Sequence, residues 1–323
     1  MIIPKFWAEA RYRKKIDGRQ VTLRRFGWSN ASQAAAQEHA EARVQEAFAA
    51  LLRGKPVDRR ELKRAYNGSE GVPIREEIVD ELGTTVITRN SYGSLCLNTP
   101  DALFVDIDFH HQPSCGLVSV MVIVVTGGLV ATGWQFHWGG IIALGIAGMG
   151  LGYIAAVWLQ RIYVALQGGV EQMGVRQIKR FVAWHPHWHV RIYRTPAGLR
   201  VLAMHTTFDP LAPEVNECFL ALGADPIYVR MCQRQRCFRA RVSPKPWRVG
   251  IRQHVKPRGV WPVDPARLPE RQAWVRMYEQ AASGFASCRF LEALGNGQVH
   301  PAVAEVHQLH DRLCRATSEL PLA

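Results

Sequence analysis

Leu103–Phe109 reads LFVDIDF, an apolar, strand-like run that carries two carboxylates, and a short connector then leads into GLVSVMVIVVTGGLVATGW, Gly116–Trp134. A buried carboxylate is costly unless a cation or hydrogen-bond donors hold it. On a strand, residues two apart project from one face, so Asp106 and Asp108 are expected to form a pair. Such a pair relieves its repulsion by binding a divalent cation, Mg2+ or Mn2+, or by pairing with arginine. The surrounding sequence must supply one or the other.

The apolar sequence after it fixes the organisation of the chain. No charged residue occurs from Phe109 to Gln160. Two runs, Gly116–Trp134 and Gly139–Trp158, each approach the roughly 20 residues that span a bilayer. Trp134, Trp138, Tyr153 and Trp158 lie toward their ends, and Arg161 follows directly, as an interfacial belt requires. The linker QFHWG is tight. The spacing therefore predicts a transmembrane helical hairpin over 116–159 rather than a buried hairpin of a soluble protein. Within it, GMGLG follows no strand, so Gly148 and Gly152, four apart, read as small-residue helix packing, with possible helix–helix self-association, rather than as a dinucleotide loop.

The charge distribution adds a partner class. The net charge is +13 and the pI near 9.8. Residues 1–108 hold 17 Lys/Arg against 15 Asp/Glu, whereas 161–323 hold 23 against 12, so the surplus follows the hairpin. Polyanions, either nucleic acid or an anionic membrane surface, are the expected partners. Seven cysteines without framework spacing and a start, MIIPKFWAEARYRKK, without a signal-peptide h-region predict reduced thiols and cytoplasmic soluble parts on an inner (plasma) membrane, if the cell is bacterial. Cys232 and Cys237 do not have the spacing of a zinc knuckle.

Residues 1–53 read as a basic β-hairpin, turning at Asp17-Gly18, followed by an Ala-rich helix capped by Asn30 or Ser32 and stopped at Gly54. This resembles the small arm-binding domains of phage-type integrases, which lay a sheet on DNA. Residues 54–73 are a polar linker. Strands are expected at TTVITRN and DALFVDIDF around turns at Gly93 and Pro100, then in both halves of HVRIYRTPAGLRVLAMH and in CFRARVSPKPWRVGI. The last region, from Pro269, reads as helical. Residues 74–115 and 160–323 thus form one α+β domain with helices on one face of its sheet, interrupted by the hairpin.

The turn YRTPAGLR, Tyr193–Arg200, bears on the carboxylates. Gly198 permits close backbone approach, Thr195 offers a hydroxyl, and Arg194 and Arg200 offer charge-assisted contacts to phosphate. A D-h-D strand followed by a T-P-x-G turn resembles the archaeo-eukaryotic primase and primase-polymerase superfamily. That resemblance implies a palm-like (RRM-like) sheet with metal on Asp106 and Asp108 and a nucleotide at Arg194, Thr195, Gly198 and Arg200, with nucleotidyl transfer as the reaction. The family's turn leads into a His where this chain has Arg200, and Asp209 is the nearby candidate for a third acid. The alternative is a non-enzymatic membrane protein in which arginines neutralise the aspartates.

From Pro226 to Val263 there are ten Lys/Arg and no acid. Arg239 and Arg241 are expected on one strand face, with Lys245, Trp247 and Arg248 combining cations and a stacking surface. Nucleic acid or anionic lipid would meet this stretch, Arg230–Arg258. His185, His187 and His189 read as interfacial or solvent-facing, and His307 and His310 as surface residues of one helix face.

Overall fold

The computed structural model describes residues 3–16, 19–61, 72–109, 112–133, 137–259 and 261–323. The expected Asp17-Gly18 turn, Trp134, the start of the QFHWG linker and most of the 54–73 linker lie outside them. Within the described residues the chain is mixed α+β, with three antiparallel sheets and eight α-helices.

The N-terminal hairpin pairs β1 (Phe6–Ile16) with β2 (Arg19–Ser29) in register from Phe6↔Ser29 to Ile16↔Arg19. Helix α1 (Gln33–Leu52) follows, its first turn capped by the Ser32 hydroxyl, which accepts from the Ala35 N–H at 3.1 Å. Ala36, Ala40, Val44 and Phe48 recur at helical spacing and bury against Ala8, Ala10 and Leu23. Arg11, Arg13, Lys14, Lys15 and Arg19 remain exposed around the far end of the ribbon.

Two four-stranded sheets follow instead of the single one expected. One has the order β3 (Glu77–Leu82), β4 (Thr85–Arg89), β5 (Leu95–Thr99), β9 (Phe238–Arg241). The other runs β10 (Arg289–Gly295), β7 (His189–Arg194), β8 (Gly198–Ala203), β6 (Phe104–Asp108). β6 and β8 pair antiparallel: Phe109 N–H donates to the Ala197 carbonyl and Ala203 N–H to the Leu103 carbonyl, each at 3.0 Å. The strand after the basic stretch, β9, pairs with β5, so Arg239 and the carboxylate strand β6 stand in different sheets.

Helices α2 (Cys115–Thr132) and α3 (Trp138–Leu166) are long and apolar enough to cross a membrane. No side chain of α2 is buried, and Ile123 is 70% exposed. The two helices touch where α3 is smallest. A Cβ on Gly148 would stand 2.6 Å from the Thr126 Cα, and one on Gly152 2.6 Å from the Val122 Cα. The small-residue edge is therefore filled by α2 of the same chain. α3 outlasts the expected boundary at 159 and ends before Gly168 and Gly169, whose φ values of 76° and 95° favour glycine. Helix α4 (Val170–Trp184) starts there and buries Ile178, Phe181 and Val182.

By their contacts Ile107–Pro186 and Ala197–Leu199 form one compact unit, so α4 groups with the hairpin. Met1–Asp106, His187–Pro196 and Arg200–Ala323 form the other. The latter also holds α5 (Pro213–Leu222), α6 (Pro226–Gln235), α7 (Leu268–Ala282) and α8 (Pro301–Cys314).

Candidate functional site

The D-h-D strand and the T-P-x-G turn are neighbours, because β6 pairs with β8. A Cβ on Gly198 would fall 1.9 Å from the Ile107 carbonyl oxygen and 3.0 Å from the Asp108 Cα. The close backbone approach that Gly198 permits is thus to strand β6. Thr195 is buried, and the Arg194 guanidinium donates to the Thr195 carbonyl. Asp209 holds a turn instead of facing the pair: its carboxylate accepts from the Leu211 N–H at 2.9 Å.

Asp106 and Asp108 have different surroundings. The Asp106 carboxylate takes a two-pronged contact from Arg200, Nε to Oδ1 at 2.7 Å and Nη2 to Oδ2 at 3.0 Å. Arg200 is 2% exposed and Asp106 31%. Burial alone would lower the Arg200 pKa, but the charge and hydrogen bonds of Asp106 reverse this and raise it above the ordinary arginine value. Asp108, at the exposed end of β6, belongs to the hairpin unit. Both oxygens of Asp106 are held by a guanidinium, so as arranged this carboxylate is not open to a divalent cation. The strand does not fit a two-aspartate metal site.

Arg200 is the centre of a buried polar cluster. Its Nη1 donates to the Arg241 carbonyl at 2.9 Å and faces His310 Nε2 at 3.3 Å. His310 Nδ1 lies 3.0 Å from Asp311 Oδ1, and Asp311 is in turn met by Arg191 at 3.1 Å and His307 at 2.9 Å. Cys288 Sγ stands 3.9 Å from His310 Nε2. Burial opposes the ionised forms, yet the hydrogen bonds from His307, His310 and Tyr193 hold Asp311 below the usual carboxylate range. Burial also acts to raise the Cys314 pKa. A hydrogen bond from Cys288 and the nearby His310 and Arg200 outweigh it and pull that thiol well below the usual range.

His310 corrects a sequence expectation: it is fully buried. The signal was present in its spacing, because Val303, Val306, His310 and Cys314 share the buried stripe of α8. Of the histidines read as interfacial or solvent-facing, His187 is exposed and His185 and His189 are half-buried. His185 is the C-cap of α4, whereas His189 opens β7, with Nδ1 3.0 Å from the Leu294 carbonyl.

The basic stretch divides into core and surface. Arg239, expected on a polyanion-binding face, is buried. It contacts both oxygens of Glu76 at 2.8 and 2.7 Å and Asn98 Oδ1 at 3.2 Å. Arg241 is half-buried beside Tyr92, and burial, which lowers its pKa, is outweighed by that tyrosine, so the value is raised. Lys245 lies 5.3 Å from the centre of the Trp247 ring, which is 55% exposed, and Arg248 closes the same 3-10 turn, Pro246–Val249.

Immediately beyond, Arg252, Gln253, His254, Lys256, Arg258, Arg267 and Glu270 line a pocket of about 570 Å3. Glu270 is engaged by Arg267, at 3.0 and 2.7 Å. Arg252, Lys256 and Arg258 meet no carboxylate among the described residues. Compared with family models, with curated proteins and with solved structures, the chain matches none.

Proposed function

We propose that this is a bilayer-anchored protein that binds nucleic acid on a basic surface, with α2 and α3 as the anchor. The observation that carries the reading is the pocket at Arg252–Arg258: a concave site with three cations that meet no carboxylate among the described residues and one carboxylate already engaged. Cations held without counterions attract phosphates and release condensed counterions on binding. Exposed Trp247 beside Lys245, a few residues away in sequence, adds a stacking surface, which favours single-stranded nucleic acid over lipid headgroups. The basic end of the β1–β2 ribbon supplies a second cationic area.

This is the non-enzymatic reading. It is favoured over metal-dependent nucleotidyl transfer because the Asp106 carboxylate is neutralised by Arg200, the residue standing where the resembled family has a histidine. Catalysis through Mg2+ or Mn2+ on Asp106 and Asp108 would first require Arg200 to release its partner.

The test is fluorescence anisotropy of a labelled single-stranded oligonucleotide against the full chain in nanodiscs of neutral lipid. Replacing Arg252, Lys256 and Arg258 together by Ala is expected to weaken binding and to reduce the salt slope by about 2, at roughly 0.7 per phosphate contact. An unchanged affinity and slope would overturn the assignment of the pocket. A variant effect seen with anionic nanodiscs but with no oligonucleotide would reassign the surface to lipid.

A further inference from the structure

The cluster behind Arg200 contains a set of ligands that none of the foregoing uses. Cys288, His310 and Cys314 are all buried, and one ligand atom from each, the two Sγ atoms and an imidazole nitrogen, lie within 4.8 Å of one another. We propose that these three residues bind a thiophilic divalent cation, zinc by preference.

The donor set is of the right kind, since two thiolates and an imidazole are common ligands of zinc. The spacing is also close to what the ion requires. Zn–S near 2.3 Å and Zn–N near 2.0 Å at tetrahedral angles put S and N about 3.5 Å apart. Cys288 Sγ and His310 Nε2 are 3.9 Å apart, so that pair needs to close by only a few tenths of an ångström, and every other pair of the three lies within 4.8 Å.

The backbone holds the ligands in place. His310 and Cys314, one helical turn apart, share a face of α8. Cys288 precedes β10 in a segment pinned to the end of that helix, where Ser287 N–H donates to the Cys314 carbonyl at 3.0 Å and Phe290 N–H to the Ala316 carbonyl at 2.8 Å. The Asp311 carboxylate at His310 Nδ1 favours the tautomer with its proton there, so that Nε2, which now faces Arg200 Nη1, can turn its lone pair to the ion, the carboxylate–histidine support characteristic of zinc sites.

Charge and hydrogen bonding also balance. Two thiolates neutralise the ion. Arg200, on losing its contact with Nε2, keeps Asp106 and the Arg241 carbonyl. Among the described residues no fourth protein ligand joins the three, which leaves the fourth position to water. Because the ligands are buried, the ion would enter as the domain folds, and binding would contribute to folding stability.

The experiment uses the full chain, expressed in zinc-supplemented medium and purified in detergent without chelator. Metal content by mass spectrometry is expected at one zinc per chain, lost in Cys288→Ser and Cys314→Ser and kept in Cys232→Ser. Refolding the wild type with Co2+ alone should produce a thiolate-to-cobalt charge-transfer band and the strong visible absorption of tetrahedral cobalt. The cobalt spectrum decides the matter if the serine variants fail to fold. A folded wild type with neither stoichiometric zinc nor a cobalt–thiolate band would overturn the proposal. So would peptide mapping that finds Cys288 and Cys314 joined as a disulfide.

Discussion

Arg200 and Asp106 face each other through two parallel hydrogen bonds, with the guanidinium buried and the carboxylate at the edge of solvent. Removing one partner of such a pair leaves the other desolvated, at about 3 to 5 kcal/mol for a fully buried pair. The partial exposure of Asp106 places Asp106→Asn toward the lower end of that range, and Arg200 would then be the stranded cation. Thermal melts of the full chain should show early unfolding for Asp106→Asn, and partial recovery when Arg200→Met is added to it, because the stranded charge is then gone. A single variant that melts like the wild type would return the carboxylate to a ligand-binding role.

A second ion pair, Glu76–Arg239, is buried on both sides, between the residue before β3 and strand β9, with Thr88 and Asn98 completing its hydrogen bonds. Arg239→Ala should therefore lower stability by about 3 to 5 kcal/mol. At temperatures where the variant is folded, nucleic-acid affinity should stay unchanged. Denaturant unfolding and anisotropy on the same preparations separate the two effects. Weakened binding by a fully folded variant would put Arg239 on the binding surface after all.

The α2–α3 contact leaves no room for a side chain at Gly152, where a Cβ would stand 2.9 Å from the Met121 carbonyl oxygen as well as close to Val122. Gly152→Val should push the helices apart, at roughly 1 to 3 kcal/mol, the usual range for overpacking. Gly150→Val on the open side should not, since nothing lies within reach of a Cβ there. Cysteine cross-linking between the helices, in detergent, would report the difference; equal cross-linking would count against the packing.

His205 titrates below the ordinary histidine value because it is buried, with His187 and His189 as further basic neighbours. Its Nδ1 also accepts the His189 N–H at 3.3 Å, which requires that nitrogen unprotonated. The folded pKa is depressed, so the unfolded chain binds the proton more readily. The contribution of His205 is thus complete above the unfolded value near 6.5 and declines as pH falls below it. Replacing His205 by Asn, which retains an acceptor, should make the melting temperature less sensitive to acid in that window. An unchanged pH profile would assign the acid sensitivity elsewhere.

Both ends of the hairpin segment return to one pair of strands, since β6 precedes it and β8 follows. If α2 and α3 cross the bilayer, the number of crossings is therefore even, and the folded parts share a side. Cys232 cannot report this because it is buried. Leu220, 74% exposed on α5, replaced by Cys in a Cys115→Ser background, should label only after the cell is opened. Labelling in intact cells would contradict a cytoplasmic placement.

What the sequence made legible was local. A charge-free run of 52 residues announces two long apolar helices without reference to any partner, and the glycines four apart announce the face on which they pack. The ββα unit was readable for the same reason: its strands, cap and stripe are consecutive. Partition into sheets was not readable, because it depends on which distant strand each edge meets. β5 looked like a turn between Gly93 and Pro100, and β10, built from Leu, Ala and Glu, looked helical. Arg200, read as the end of the turn, lies within β8, and whether it faced phosphate or Asp106 depended on the register of β8 against β6. The Cys288–His310–Cys314 cluster needed the end of α8 to meet the segment before β10, a meeting that no periodicity announces.

The β6–β8 pairing has a consequence for biosynthesis. On the ribosome β6 emerges before α2, and its partner only after α3 and α4 have been made, roughly ninety residues later. The N-terminal ββα unit can close early from its own contacts. The sheet that holds Asp106 must instead wait, with β6 unpaired, until the two long apolar helices and α4 have been made. If the hairpin crosses a bilayer, chains in which it inserts late or incorrectly would expose that strand edge, and quality control would meet them as unfinished sheets rather than as misplaced helices.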